Sequence, residues 1–199
     1  MPKRETIGIG LMLLVIICGA LQAQGVFDVV DYRLAKAAGD LRSDTGAALT
    51  PLFSALSRAT DSSGRLIMLA LLALAYFWRG KARRWLWLAG VSVAAMLLNS
   101  ALKLIFQAER PDLMPHLDTT LSYSFPSGHA CGNMVFFGAL AMLSGSRFAW
   151  SAAIPVIVMI GISRVWLGVH WPSDVVCGWI EGIAILMLSR RWLPTERGH

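Results

Sequence analysis

Apolar residues fall into six runs along this chain, at 7–21, 66–78, 85–102, 130–143, 148–162 and 175–188. Several are shorter than the ~20 residues that cross a bilayer, but each extends through Gly, Ser, Ala or a terminal Arg whose charged head can snorkel to the interface. The pattern predicts an all-α protein, a six-helix transmembrane bundle, with residues 1–199 forming a single integral-membrane domain. Between the first two runs, Asp28, Asp31, Arg33, Lys36, Asp40 and Arg42 are interspersed with Val26, Phe27, Val29, Val30 and Leu34. That mixture predicts short helices at the interface over 22–64, which either line a lipid entrance or simply connect two spans.

Composition supports the membrane reading, with 56% hydrophobic residues and a mean hydropathy of +0.58 over 199 residues. The formal charge of +6 is accounted for by basic loops facing anionic lipid. No aromatic-basic alternation, repeat or motif argues for nucleic acid. The strongest positive cluster is Arg79-Gly80-Lys81-Ala82-Arg83-Arg84, and alternating spans put Lys3, Arg4, Arg147, Arg190 and Arg191 on its side. By the positive-inside rule that side is cytoplasmic, together with both termini, and the far ends of the third and fifth runs face outward across a plasma (inner) membrane. Lys3 and Arg4 before an apolar core also resemble a secretory signal, but Leu21-Gln22-Ala23 is a poor cleavage site, so the first run is read as an uncleaved helix. The orientation is the same under either reading.

Polar residues cluster where these greasy segments end, in places where isolated charge is costly. Lys103 and Arg110-Pro111 follow the third run, Phe125-Pro126-Ser127-Gly128-His129 precedes the fourth, and Ser163-Arg164, His170 and Asp174 join the fifth to the sixth. Lys103, Arg110 and Arg164 are donors without acceptor capacity, and the guanidinium fork fits phosphate oxygens, so together they suit an anion cage. Ser127 and Gly128 stand at a predicted helix start, where a hydroxyl and free backbone N–H groups can point at the same anion. His129 and His170 are then the side chains able to move protons or attack phosphorus near neutral pH, and a carboxylate such as Asp174 orients an imidazole. Pro172, between His170 and Asp174, leaves a regular helical i, i+4 pairing of the two open. Singly, each piece has a plain structural reading: Lys103 caps a helix C-terminus, Arg110-Pro111 makes a turn, and each histidine packs in a core.

Lys103-x6-Arg110-Pro111, Pro126-Ser127-Gly128-His129 and Ser163-Arg164-x5-His170-x3-Asp174 are ungapped, and in this order they resemble the type 2 phosphatidic acid phosphatase family. The resemblance covers about residues 85 to 190. It implies a membrane lipid phosphatase in which His170 attacks phosphorus to form a phosphohistidine and Asp174 orients it. His129 would protonate the leaving oxygen and later activate water, and Lys103, Arg110, Ser127, Gly128 and Arg164 would hold the phosphoryl oxygens. No metal or other cofactor is implied. The substrate is a lipid phosphate, with undecaprenyl diphosphate first and phosphatidylglycerol phosphate, phosphatidic acid and lipid A phosphate as competitors.

Two other function classes fit parts of the pattern. A lipid or ion transporter would use the charges as a pathway, with Asn99 and Glu181 inside the apolar runs. A metal centre would use His129, His170 and Asp174 as ligands. Glu181 lies seven residues beyond Asp174, about two turns deeper on the same face, where a carboxyl must be neutral or paired; Asn99 and Asn133 are read as hydrogen-bonding glue between helices. Cys18, Cys131 and Cys177 are odd in number and give neither a disulfide framework nor metal spacing. Trp78, Trp85 and Trp87 suit interface anchoring, and Trp171 offers either an anchor or a stacking surface for a lipid chain.

Overall fold

Hydrophobic runs of this length fold as helices because only internal hydrogen bonding satisfies a backbone kept from water. The computed structural model describes residues 3–44 and 46–194, and its regular elements are all helical, with no strand among the described residues and a long non-helical segment at 107–127. The helices are α1 (Lys3–Gln22), α2 (Asp28–Asp44), α3 (Thr50–Ala59), α4 (Ser62–Trp78), α5 (Ala82–Phe106), α6 (Gly128–Ser144), α7 (Arg147–Trp166) and α8 (Pro172–Ser189), with short 3-10 turns at Ala47–Leu49 and Arg190–Trp192. Their ends follow local chemistry. Asp61 caps α4 by accepting from Gly64 N at 2.7 Å, Ser146 caps α7, and Pro172 opens α8 where its missing N–H costs nothing. Gly145 closes α6 in the left-handed region at φ 65°.

All six apolar runs are helical, but the expected count of six spans is not reached by length and composition. Among the described residues, four helical segments are long and apolar enough to cross a membrane: Lys3–Gln22, Ala82–Phe106, Arg147–Trp166 and Pro172–Trp192. A fifth arises if Ala47–Ala59 and Ser62–Trp78, bent by 57° at a short break, count as one. At 17 residues, α6 is a shorter apolar helix, about 25 Å long.

The core gathers around α6, which packs against α5, α7 and α8, while α1 lies along α8. Leu88 and Val91 of α5, Val135, Phe136 and Ala139 of α6, and Ile185 and Leu186 of α8 form its main cluster. The α6–α8 approach depends on small residues. A Cβ on Gly178 would lie 2.6 Å from the Ser127 carbonyl oxygen, so glycine lets α8 touch the start of α6 directly. Leu13 and Ile17 on α1, Ile67, Leu71 and Leu74 on α4, and Leu97, Leu104 and Ile105 on α5 are exposed outward, the face a membrane would cover.

Within residues 22–64, Val29, Val30 and Leu34 of α2 are exposed, while Asp31 is buried and accepts from Ser173 N at 2.9 Å and Ser173 Oγ at 2.5 Å. Arg42 Nη1 donates to the Trp166 carbonyl at 2.9 Å. These bonds pin α2 across the α7–α8 connection. The interface assignment of Trp87 is corrected: it is buried in the core, and its Nε1–H reaches the Ser189 carbonyl at 3.2 Å, whereas Trp78 is fully outward. The apolar surroundings of α5 and α8 outweigh proximity to the basic loop.

Candidate active site

The three motif blocks meet at one end of the bundle. The last turn of α5 carries Lys103, the 107–127 segment carries Arg110, the start of α6 carries Ser127, Gly128 and His129, the last turn of α7 carries Arg164, and the turn into α8 carries His170 and Asp174. Lys103, Arg110, Gly128, His129, Arg164 and His170 line one cavity of about 490 Å³, which continues between α4 and α5 along Leu66, Leu69 and Met96. Among the described residues of 22–64, Ser62 alone lines it, so α2 forms no part of this entrance.

His170 is held by its Nδ1 side, leaving Nε2 toward the cations. Nδ1 lies 3.2 Å from Asp174 Oδ2 and 3.3 Å from Ser124 Oγ, and Nε2 lies 3.4 Å from Arg110 Nη1. Pro172 does not prevent the pairing, because His170 sits outside α8 while Asp174 is in its first turn and accepts from Trp171 N at 2.9 Å. Asp174 is fully buried and also accepts from Ser124 Oγ and from Gln22 Nε2, the latter at 3.0 Å. Burial, then the charges of Lys103, Arg110 and Arg164, hold the His170 ring well below the ordinary imidazole value, so it is neutral near pH 7.

The cations are braced mainly by carbonyl oxygens. Lys103 Nζ donates to the carbonyls of Tyr123 (2.5 Å) and Ser124 (2.9 Å), and Arg110 donates to those of Ser122 (2.9 Å), Val169 (2.5 Å) and Tyr123 (3.2 Å). Burial, opposed by the Asp174 charge, brings Arg110 down to about 10, so it stays cationic at neutral pH. Arg164 differs, pairing with Asp118 Oδ2 at 2.5 Å and donating to Ser57 Oγ, while its buried Nε has no partner among the described residues. Burial raises Asp118, but the hydrogen bond and charge of Arg164 overcome this and hold its carboxyl below the usual range.

His129 faces this group from α6, with Nε2 3.4 Å from Ser57 Oγ and 3.3 Å from the Ser57 carbonyl. Ser127 lies behind the cavity lining: it is buried, its Oγ caps α6 toward Ala130 N at 3.5 Å, and its N–H donates to the Asp174 carbonyl at 3.0 Å. Ser57, Asp118, Ser124 and Gln22 are the partners that the sequence pattern does not reveal. Asn133 is glue as expected, donating to the carbonyls of Thr60 and His129, both at 2.9 Å. Glu181 is paired with Asn99 Nδ2 at 2.7 Å, which ties α8 to α5 beneath the cage. Trp171 Nε1 donates to the Glu109 carbonyl at 3.1 Å. No group of three His, Cys, Asp or Glu side chains with metal-holding geometry occurs among the described residues.

Comparison with known proteins decides the family. The family model of the PAP2 superfamily matches residues 84–197, more than half the chain and every residue of the three motif blocks. The chain belongs to the PAP2 superfamily. This PAP2 protein is 46% identical to an undecaprenyl-diphosphatase of Sulfolobus acidocaldarius over 68 residues, covering 34% of the chain and 32% of that relative. It is 26% identical to phosphatidylglycerophosphatase B of Bacillus subtilis over 191 residues, 92% of each chain. Its fold matches the crystal structure of a transmembrane PAP2-type phosphatidylglycerolphosphate phosphatase from Bacillus subtilis with a TM-score of 0.81 and 27% identity, covering 92% of this chain and 94% of that one. Together with the apolar helices, these relatives make this PAP2 protein a membrane protein.

Proposed function

We propose that this chain hydrolyses a lipid phosphate through a phosphohistidine formed on His170, with undecaprenyl diphosphate as the leading substrate and undecaprenyl phosphate as product. The observation that carries this reading is the His170 ring, fixed through Nδ1 by Asp174 and Ser124 with Nε2 turned toward Arg110 inside a cage of cations. Nε2 attacks phosphorus while Asp174 stabilises the imidazolium that forms. The bond to the leaving oxygen breaks, and His129 donates its proton to that oxygen; His129 then takes a proton from water as the water attacks the phosphohistidine. Lys103, Arg110, Arg164 and the α6 start at Gly128 hold the phosphoryl oxygens, and the unpartnered Arg164 Nε supports an anion there. Ser127 contributes by capping α6 and fixing the position of its first N–H groups. The chemistry assigned to these residues needs no metal.

The substrate choice rests on the similarity to the Sulfolobus relative and on an outward-facing site. Phosphatidylglycerophosphate is the second reading, supported by the 92% coverage of the Bacillus relative. Purified protein in detergent with chelator is expected to release phosphate. Comparing kcat/KM for undecaprenyl diphosphate, phosphatidylglycerophosphate, phosphatidic acid and lipid A phosphate in one detergent then ranks substrates, since specificity is a ratio of such values. A preference of about tenfold for a glycerophospholipid overturns the carrier-lipid assignment; no release at all favours transport, and release lost to chelator favours a metalloenzyme.

We further read one domain of six spans, counting the bent α3–α4 pair as one and the short α6 as another. Loop 79–84 then faces the cytoplasm with both termini, and the catalytic end faces outward. With Cys18, Cys131 and Cys177 replaced, Leu117→Cys should react with an impermeant thiol reagent in intact cells, and Ala82→Cys should react only after the inner membrane is opened. The reverse labelling pattern places the site in the cytoplasm.

A further inference from the structure

A fourth cation reaches the same cavity from outside the three motif blocks. Arg65, in the first turn of α4, lines the cavity beside His129 and Gly132. Its Nη1 donates to the Thr60 carbonyl at 2.7 Å and its Nη2 to Ser62 Oγ at 3.3 Å, which fixes the guanidinium and leaves further N–H donors for a ligand. Among the described residues no carboxylate forms an ion pair with it, whereas Arg164 has Asp118. Gly132 makes room for it: a Cβ there would lie 2.6 Å from Arg65 Cζ and 2.7 Å from Nη2. The guanidinium is half-buried and feels the Asp61 charge without a direct bond from its carboxylate, so its remaining N–H donors are suited to an anion that arrives in the cavity.

We propose that Arg65 binds the inner, non-scissile phosphate of a lipid diphosphate and thereby selects diphosphates over phosphate monoesters. This rests on the histidine-phosphatase reading above. In-line displacement puts the leaving group opposite the nucleophile. The side chain that protonates it, His129, therefore marks the side on which the rest of the substrate lies. Gly132 is one turn further along α6 from His129, and Arg65 packs over it, so the cation stands where the atoms beyond the leaving oxygen fall. In a diphosphate those atoms are a second phosphate; in a monoester they are carbon. As the Nε2–phosphorus bond forms, the bridging P–O bond breaks and its electron pair passes to the inner phosphate. That product, protonated by His129, is neutralised by Arg65. Leu66, directly after Arg65, with Leu69 and Met96, continues the cavity as an apolar trough for the lipid tail.

The test uses the full chain in one detergent, with an isoprenyl diphosphate and the isoprenyl monophosphate of equal chain length. Arg65→Gln should lower the diphosphate-to-monoester ratio of kcat/KM by at least about tenfold, mainly through KM on the diphosphate, as expected for removal of a binding contact. Gly132→Ala, which displaces the guanidinium without removing it, should move the ratio the same way. Calorimetry of inorganic pyrophosphate against phosphate reads the same contact without turnover, and the tighter binding of pyrophosphate should disappear in both variants. Arg65→Lys, which keeps the charge, carries the comparison if Arg65→Gln does not fold, and should retain more of the preference than Gly132→Ala. An unchanged ratio, or equal losses on both substrates, overturns the assignment of Arg65. A wild-type protein that hydrolyses neither substrate instead removes the phosphatase reading, and the pyrophosphate titration still decides whether Arg65 binds a diphosphate.

Discussion

Replacing His170 by alanine is expected to abolish phosphate release from every lipid phosphate while the protein still inserts in the membrane. The loss should reach about four orders of magnitude or more, the scale on which removing a nucleophile that acts in concert with its partners is felt. No neighbouring group can substitute. His129 is turned to Ser57, and the hydroxyl of Ser124 is already committed to Asp174. The change removes one edge of a polar cluster that Ser124, Gln22 and Trp171 N continue to satisfy around Asp174, so the fold should survive. Single-turnover assays with 32P-labelled lipid check it directly: the wild type should trap label on protein, stable to alkali and labile to acid, and His170→Ala should not. Near-normal turnover by the variant would remove the phosphohistidine from consideration.

Arg164→Ala should cost about two to three orders of magnitude in kcat, in the range found when a preorganised donor to a developing charge is deleted. The helical seat of Arg164 in the last turn of α7 and its burial mean that its geometry is set before substrate arrives, and the other two guanidiniums of the cavity are held elsewhere, Arg110 by the carbonyls of Ser122, Tyr123 and Val169 and Arg65 by the Thr60 carbonyl at the start of α4. Arg164→Lys should therefore recover only part of the loss. Steady-state kinetics at saturating lipid, alongside a thermal melt, separate a catalytic effect from a folding one; wild-type-like kcat in Arg164→Ala would make this guanidinium an anchor for the 107–127 segment alone.

The spacing of the three motif blocks makes the assembly of Lys103, Arg110, His129, Arg164, His170 and Asp174 legible in the amino-acid sequence, because each is fixed to the end of an apolar run and all those ends fall on one side. The partners that complete the site are not legible there. Ser57 meets Arg164 across 107 positions and Gln22 meets Asp174 across 152, and a lone Ser, Asp or Gln in a polar connector gives no local periodicity to read. Asp118 is hidden for the same reason, although a carboxylate between two blocks of cations is a signal that a search for neutralising charge could use. Trp87 is misplaced by sequence pattern because aromatic residues near basic loops serve interfaces and cores alike, and the choice depends on which face of α5 meets α8. The number of spans is ambiguous at α4 and α6, where the runs are short, and the polar stretch Thr60-Asp61-Ser62-Ser63-Gly64-Arg65 announces a helix start at α4 without telling whether the preceding helix belongs to the same span.

The ion pair between Asp118 and Arg164 gives the resting protein an anion of its own. A carboxylate tethered on a connecting segment is present at an effective concentration in the millimolar range, and an anion that takes the Arg164 Nη1 donor does so in competition with it. The tethered acid thus acts as a returning plug. It relieves the mutual repulsion of Arg110, Lys103 and Arg164 when nothing is bound, and it competes with small anions far better than with a lipid head group held additionally by its tail. On the phosphatase mechanism proposed above, free phosphate left after turnover would have no such second hold, so the segment that carries Asp118 would favour its departure and clear the cage for the next lipid.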